Sequence, residues 1–145
     1  LDTESNRMVL IIINNFNILA KQLLAEGKID EAKKTLDKCR DVVPERLFSM
    51  RSALQTYFTA DLLYKIGETQ KANALTSKVT DYLIDELGYL IAIEKDRPNA
   101  GRNDIQFGLS IINEVIRTTD SQGQKELSAR IQKQLADLQS SITPF

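Results

Sequence analysis

The chain has 145 residues, a size typical of a single domain with one hydrophobic core. Hydrophobic residues make up 42% and charged residues 27%, which excludes the disordered and fibrous classes. Lys and Arg number 19 against 20 Asp and Glu, so no global field would attract nucleic acid or an anionic membrane. His is absent and Cys39 is the single cysteine, which excludes histidine catalysis and an internal disulfide.

Apolar residues that recur every three or four positions predict helices along nearly the whole chain. Gly27 and Gly67 follow Leu-rich stretches and suit the left-handed residue that ends a helix. One or two residues separate the helices of each pair, and such short turns force antiparallel neighbours. The predicted helices span 5–26, 28–43, 47–66, 68–90, 103–119 and 121–141. They form three hairpins, over about 5–43, 47–90 and 103–141, with a polar connection at 94–102.

An internal repeat relates the first two hairpins at an offset of 40 residues. The matched pairs are Ala20 with Ala60, Leu23 with Leu63, Gly27 with Gly67, and Ala32 with Ala72. Ala20 and Ala32 would let the two helices of a hairpin approach closely, while Leu23 fills the space beside them and Gly27 makes the turn. Because an isolated hairpin cannot bury its apolar face, we expect the hairpins to stack on a continuous core.

Residues 13–46 resemble a tetratricopeptide repeat. The positions that carry the resemblance are Phe16, Leu19, Ala20, Leu23, Gly27, Ala32, Leu36, Cys39 and Pro44. It implies an all-α fold in which three antiparallel hairpins stack as a right-handed tetratricopeptide-like superhelix. The whole of 1–145 would then be one domain.

A wider resemblance covers roughly residues 1–92. Its residues are Leu1-Asp2, Arg7-Met8, Phe16, 19–28, Ala32, 36–39, Pro44, 64–69 and Lys71-Ala72. They are similar to the soluble C-terminal region of a family of multi-spanning membrane proteins found widely in Bacteroidetes. That family has no known function. It is classed with lipid-linked-sugar glycosyltransferases and related to a eukaryotic endoplasmic-reticulum protein O-mannosyltransferase. The catalytic groups are expected in the membrane part, so no catalytic residue is transferred to this chain.

The resemblance implies a non-catalytic module that binds a polypeptide or presents a substrate on the periplasmic side of a membrane-anchored parent. Because the chain starts with Leu1 rather than Met, we expect it to be excised from a longer protein. Its partner would be a polypeptide or the membrane part of its own chain. The alternative is a scaffold fragment of an unrelated soluble helical-repeat protein.

The longest unbroken apolar run, Met8–Ile13, is far shorter than the roughly 20 residues that cross a bilayer. We therefore expect no signal peptide, no transmembrane segment and no direct bilayer insertion by this chain. The run either packs beneath the second hairpin or marks a surface that docks onto the rest of the parent.

In tetratricopeptide stacks the first helix of each hairpin lines the concave, peptide-binding face. The predicted binding residues are Asn14, Asn17, Lys21, Tyr57, Asp61 and Tyr64. Amides, a lysine and tyrosines can hydrogen-bond an extended backbone and offer flat apolar area. The alternative interpretation is that they form only the polar side of amphipathic helices.

Other chemistry-bearing residues favour structural roles. Asp81, Asp85 and Glu86 lack the loop and the further ligands of a metal or acid–base site, so a solvated helix face is expected. Cys39 lies on the predicted core face, where a buried thiol is expected rather than a nucleophile. The sequence therefore predicts no catalytic residue, no metal ligand, no cofactor and no nucleic-acid partner.

Overall fold

The computed structural model describes residues 3–142, and these residues form six α-helices with no β-strand among them. The helices are α1 (Thr3–Ala25), α2 (Ile29–Val42), α3 (Met50–Lys65), α4 (Thr69–Asp96), α5 (Arg102–Ser121) and α6 (Lys125–Ile142). The predicted all-α class is confirmed. Leu1 and Asp2, which open the wider resemblance, lie outside the described residues.

The helices fall into two compact units, Leu1–Val79 and Thr80–Phe145, and the boundary between them lies inside α4. In the first unit α1 packs against α2 and α3, and α2 also packs against α3. Ala20, Ala32 and Ala60 are fully buried, so small side chains occupy the positions where the repeat places them. Ile13 and Leu36 are fully buried beside them and supply the larger apolar volume of this core.

Gly27 and Gly67 make the turns after α1 and α3, with φ of +77° and +83°. In each turn the amide after the glycine donates to the carbonyl four residues before the glycine, over 2.9 Å. The pairs are Lys28 with Leu23, and Glu68 with Leu63. This is the long bond of the Schellman motif, and glycine adopts its left-handed geometry without a Cβ penalty.

The start of α3 is fixed by two serines. Ser49 Oγ accepts a hydrogen bond from Ser52 N at 3.0 Å, and Ser52 Oγ accepts one from Ser49 N at 3.0 Å. This reciprocal capping box satisfies amides that would otherwise be unpaired. The helix therefore begins at Met50, three residues after the predicted start.

In the second unit α5 packs against α6. Gly123 has φ +74°, and Gln124 N donates to Thr119 O at 2.9 Å, so α5 ends with the same turn as α1 and α3. Ser128 lies five residues after this glycine, as Ala32 does after Gly27, and it is also buried. The turn and the buried small residue of the first helix pair thus recur in α5 and α6, at an offset that the 40-residue period does not reveal.

The helix α4 continues to Asp96 instead of ending at the predicted residue 90. Leu83, Leu87 and Ile91 are all buried and continue one apolar face past that point. The next helix-breaking residue is Pro98, so nothing in the local sequence stops the helix earlier. The connection to α5 shortens accordingly to residues 97–101.

The helix α1 contradicts the expectation that the chain contains no signal or transmembrane segment. Its 23 residues are apolar enough to cross a membrane by length and composition, and they extend about 35 Å, against a hydrocarbon core of about 30 Å. The expectation is wrong because a span does not need an unbroken apolar run. Asn14, Asn15 and Asn17, which follow the Met8–Ile13 run, carry no charge, and Lys21 is the one charged residue between Met8 and Ala25.

The same test is passed by a helix of a soluble core and by a signal sequence. The predicted periplasmic location has no support. Ile13, from the Met8–Ile13 run, lies in the core of the first unit, whereas Met8 and Ile11 remain about half exposed. Part of the run therefore packs internally and part of it faces outward.

Candidate functional site

A surface groove lies between α1 and α3 and has a volume of about 300 Å³. We call it the α1–α3 groove. It is lined by Asn14, Asn17, Ile18 and Lys21 from α1, and by Phe58, Asp61, Leu62 and Lys65 from α3. In each set the positions follow the spacing i, i+3, i+4 and i+7, so each set occupies a single helix face.

The walls of the groove present exposed apolar side chains. Ile18 is 57% and Phe58 is 42% exposed, although both are large apolar residues. The ring of Phe58 lies 5.9 Å from that of Tyr57 at an interplanar angle of 46°. Large apolar residues left exposed next to hydrogen-bonding groups are typical of a surface that binds a partner.

The groove also carries three charges. Lys65 Nζ lies 3.1 Å from Asp61 Oδ2, one helical turn away on α3. Lys21 has no acidic side chain within 4.0 Å of its Nζ among residues 3–142. Two lysines and one aspartate give the groove a local charge of +1, in a chain whose formal net charge is −1.

Asn17, one of the lining residues, belongs to a buried polar cluster that joins three helices. Thr59 Oγ1 donates to Asn17 Oδ1 at 2.8 Å, and Asn17 Nδ2 donates to Gln55 O at 3.1 Å. Cys39 Sγ, from α2, lies 3.8 Å from Asn17 Oδ1 and 3.4 Å from Thr59 Oγ1. We call these four residues the Asn17 cluster. They tie α1 to α3 through Asn17, which lines the groove.

Burial raises the pKa of the Cys39 thiol, and the hydrogen bond with Thr59 offsets part of that effect. A thiol that is fully buried and held protonated is a poor nucleophile. Cys39 therefore occupies the buried position that the sequence predicts.

Three of the six predicted binding residues, Asn14, Lys21 and Asp61, line the groove with exposed or half-exposed side chains. Asn17 also lines it, but the residue is 7% exposed and both ends of its carboxamide are already hydrogen-bonded. Its role is to position α1 against α3 rather than to contact a ligand through a free amide.

Tyr57 and Tyr64 do not line the groove. Both are buried, and Tyr64 Oη donates to Asn73 Oδ1 on α4 at 2.5 Å. They lie on the side of α3 that carries Ala53 and Ala60, so their apolar rings belong to the core. On α3, Phe58 and Lys65 line the groove in place of the predicted Tyr57 and Tyr64, whereas Asp61 lines it as predicted.

Four lining residues were missed by the sequence analysis: Ile18, Phe58, Leu62 and Lys65. The helical period contains a signal for two of them. Ile18 follows Asn14 by four positions and Lys65 follows Asp61 by four, so each belongs to a face that was already selected. Phe58 is adjacent to Tyr57, and only the packing of α3 shows which of the two aromatic rings is exposed.

The acidic residues of α4 do not assemble into a metal site. Among residues 3–142 no group of three or more Asp, Glu, Cys or His side chains is placed to hold a metal ion. The nearby Tyr82 is instead surrounded by negative charge: burial, Glu86 and Asp104 raise the pKa of its hydroxyl to about 12.

Comparisons of the chain with protein-family models, with curated proteins and with solved structures each gave no match. The resemblances drawn from the sequence therefore stay predictions.

Proposed function

We propose that the chain is a non-catalytic module that binds polypeptides in the α1–α3 groove. The observation that carries the proposal is the juxtaposition of exposed Ile18 and Phe58 with the amide of Asn14 and the ammonium of Lys21. An extended peptide needs this combination, because its side chains seek apolar surface while its backbone needs hydrogen-bonding partners.

We infer a tetratricopeptide-like arrangement, supported by three turns that share one hydrogen-bond pattern at Gly27, Gly67 and Gly123. Buried small residues at Ala32 and at Ser128, each five positions after its glycine, add to that support. In such an arrangement a groove between the first helices of successive hairpins is the expected peptide-binding surface.

The proposed setting is a larger membrane protein of the glycosyltransferase-like family, and it rests on the sequence resemblance over roughly residues 1–92. The polypeptide bound would then be an acceptor protein, a partner subunit or the membrane part of the same chain. In each case the chemistry is performed elsewhere, and this chain holds the polypeptide near it.

A selection from a random-peptide phage library tests the binding function. We expect enriched peptides, once synthesised, to bind the chain and to lose about ten-fold in affinity to Phe58→Ala, as for a central interface aromatic. Phe107→Ala is the matched control, because Phe107 is a similarly exposed phenylalanine on α5. Fluorescence anisotropy gives the affinities, and thermal melts followed by circular dichroism check that both variants fold. Peptides that bind wild type, Phe58→Ala and Phe107→Ala equally would contradict the proposal.

A further inference from the structure

The charges of the α1–α3 groove are unequally paired. Asp61 neutralises Lys65 across 3.1 Å, whereas Lys21 lies on the opposite wall without an acidic partner in the described part of the chain. A lysine held beside apolar surface gains from an anionic partner more than one fully surrounded by water, because apolar neighbours displace solvent.

The apolar surface of the groove lies within one helical turn of that lysine. Ile18 precedes Lys21 by three residues on α1, an axial rise of about 4.5 Å. An extended peptide advances about 3.3 Å per residue. A ligand that contacts both groups therefore presents its anionic and its apolar side chains one or two residues apart.

Resting on the proposed polypeptide binding, we infer that the groove selects peptides with an acidic side chain within two residues of a large apolar side chain. The apolar side chain packs on Ile18 and Phe58, and the carboxylate pairs with Lys21 Nζ. The anion is an internal Asp or Glu side chain, so a free C-terminus of the ligand is not required.

The first test uses the phage-selected peptides with both termini blocked by acetylation and amidation. We expect Asp or Glu to be enriched next to, or two positions from, Leu, Ile, Phe or Trp. Replacing that Glu by Gln weakens binding to wild type by about two- to five-fold, the effect of one partly exposed ion pair. Raising the salt concentration narrows the difference between the two peptides.

Variants of the protein separate the ion pair from general electrostatics. Lys21→Gln removes the preference for Glu over Gln, whereas Lys28→Gln, at an exposed lysine in the turn after α1, keeps it. Asp61→Asn should increase the preference for the Glu peptide. It removes the ion-pair partner of Lys65 and raises the charge of the groove from +1 to +2. We expect it to tighten binding of the Glu peptide more than binding of the Gln peptide.

The outcomes distinguish this inference from the function on which it rests. Peptides that depend on Phe58 but bind equally with Glu and Gln overturn the inference and retain polypeptide binding. A selection that yields no Phe58-dependent peptide overturns both. A Glu preference that survives Lys21→Gln overturns the assignment of the carboxylate to that lysine.

Discussion

Asn17 holds α1 against α3 through both ends of its side chain. Its oxygen accepts from the Thr59 hydroxyl and its amide donates to the Gln55 carbonyl, and Asn17 itself lines the groove. Buried amides are costly unless they are paired, so the Asn17 cluster fixes the register of the two helices more specifically than apolar contacts would. The shape of the groove therefore depends on residues that its ligand does not need to contact.

Thr59→Val tests this role. Valine keeps the shape of threonine but leaves Asn17 Oδ1 with only the weakly donating Cys39 thiol at 3.8 Å. We expect the free energy of unfolding to fall by about 1–3 kcal/mol, the cost of an unsatisfied buried acceptor. Urea unfolding followed by circular dichroism measures this loss.

Thr35→Val is the matched control. The Thr35 hydroxyl donates to Glu31 O at 2.9 Å, within its own helix. Removing this hydroxyl therefore leaves no side-chain group of another helix without a hydrogen bond. We expect a loss below about 1 kcal/mol there. If the free energy of unfolding falls equally in the two variants, the hydrogen bond between Thr59 and Asn17 does not stabilise the fold more than a bond within one helix.

Tyr82 predicts a pH dependence of stability. The pKa of its hydroxyl is about 12 in the folded chain, against about 10 for an exposed tyrosine. The unfolded chain therefore loses this proton first, and stability that is fully present below about pH 10 is lost as the pH rises towards 12.

Tyr82→Phe should reduce the slope of stability against pH across that window, as measured by urea unfolding at successive pH values. Tyr89→Phe makes the same change at an exposed position of α4, and a slope equally reduced there would contradict the assignment.

At the scale of the elements, the turns are encoded by single residues. At Gly67 φ is +83° and at Gly88, inside α4, the backbone is helical. A Cβ built at either glycine meets no described atom within 4 Å, so backbone conformation alone separates the two sites.

Replacing each of these glycines by alanine should change stability in opposite directions. Gly67→Ala forces a Cβ into the left-handed region and should cost about 1 kcal/mol. Gly88→Ala should stabilise by about 0.5–1 kcal/mol, because alanine loses less backbone entropy in a helix. Chemical denaturation of both variants measures the signs, and a shift in the same direction for both would contradict the assigned turn geometry.

The helices and their turns could be predicted from the sequence. Both are local, so the hydrophobic periodicity and the helix-ending glycines are visible in the residues themselves. The exposed face of α3 is not local: Ser52, Thr56 and Thr59 are buried although they are polar, because α3 packs against more than one neighbour. With polar residues inside and Phe58 outside, polarity no longer identifies the buried side. The sequence therefore predicts Tyr57 and Tyr64 on the concave binding face and does not predict Phe58 there.

At the scale of the whole molecule, the net charge of the chain differs in sign from the local charge of the α1–α3 groove. The formal total of −1 predicts no long-range attraction for an anion, yet the α1–α3 groove carries +1. Recognition of an acidic peptide would therefore act only at short range, within about a Debye length of 8–10 Å. Selectivity would come from the placement of Lys21 and not from the average composition.

The helix α1 contributes to the core of the first unit and also has the length and composition of a membrane span, which bears on the synthesis of the chain. Because α1 precedes α2 and α3, it leaves the ribosome before the helices that bury Ile13 and bond Asn17. Until α3 follows, α1 is a helix of membrane-spanning length and composition with no completed core to join. Insertion of α1 into a bilayer would exclude folding of the first unit, since Asn17 cannot bond α3 from within lipid. The speed with which α3 arrives would decide between them.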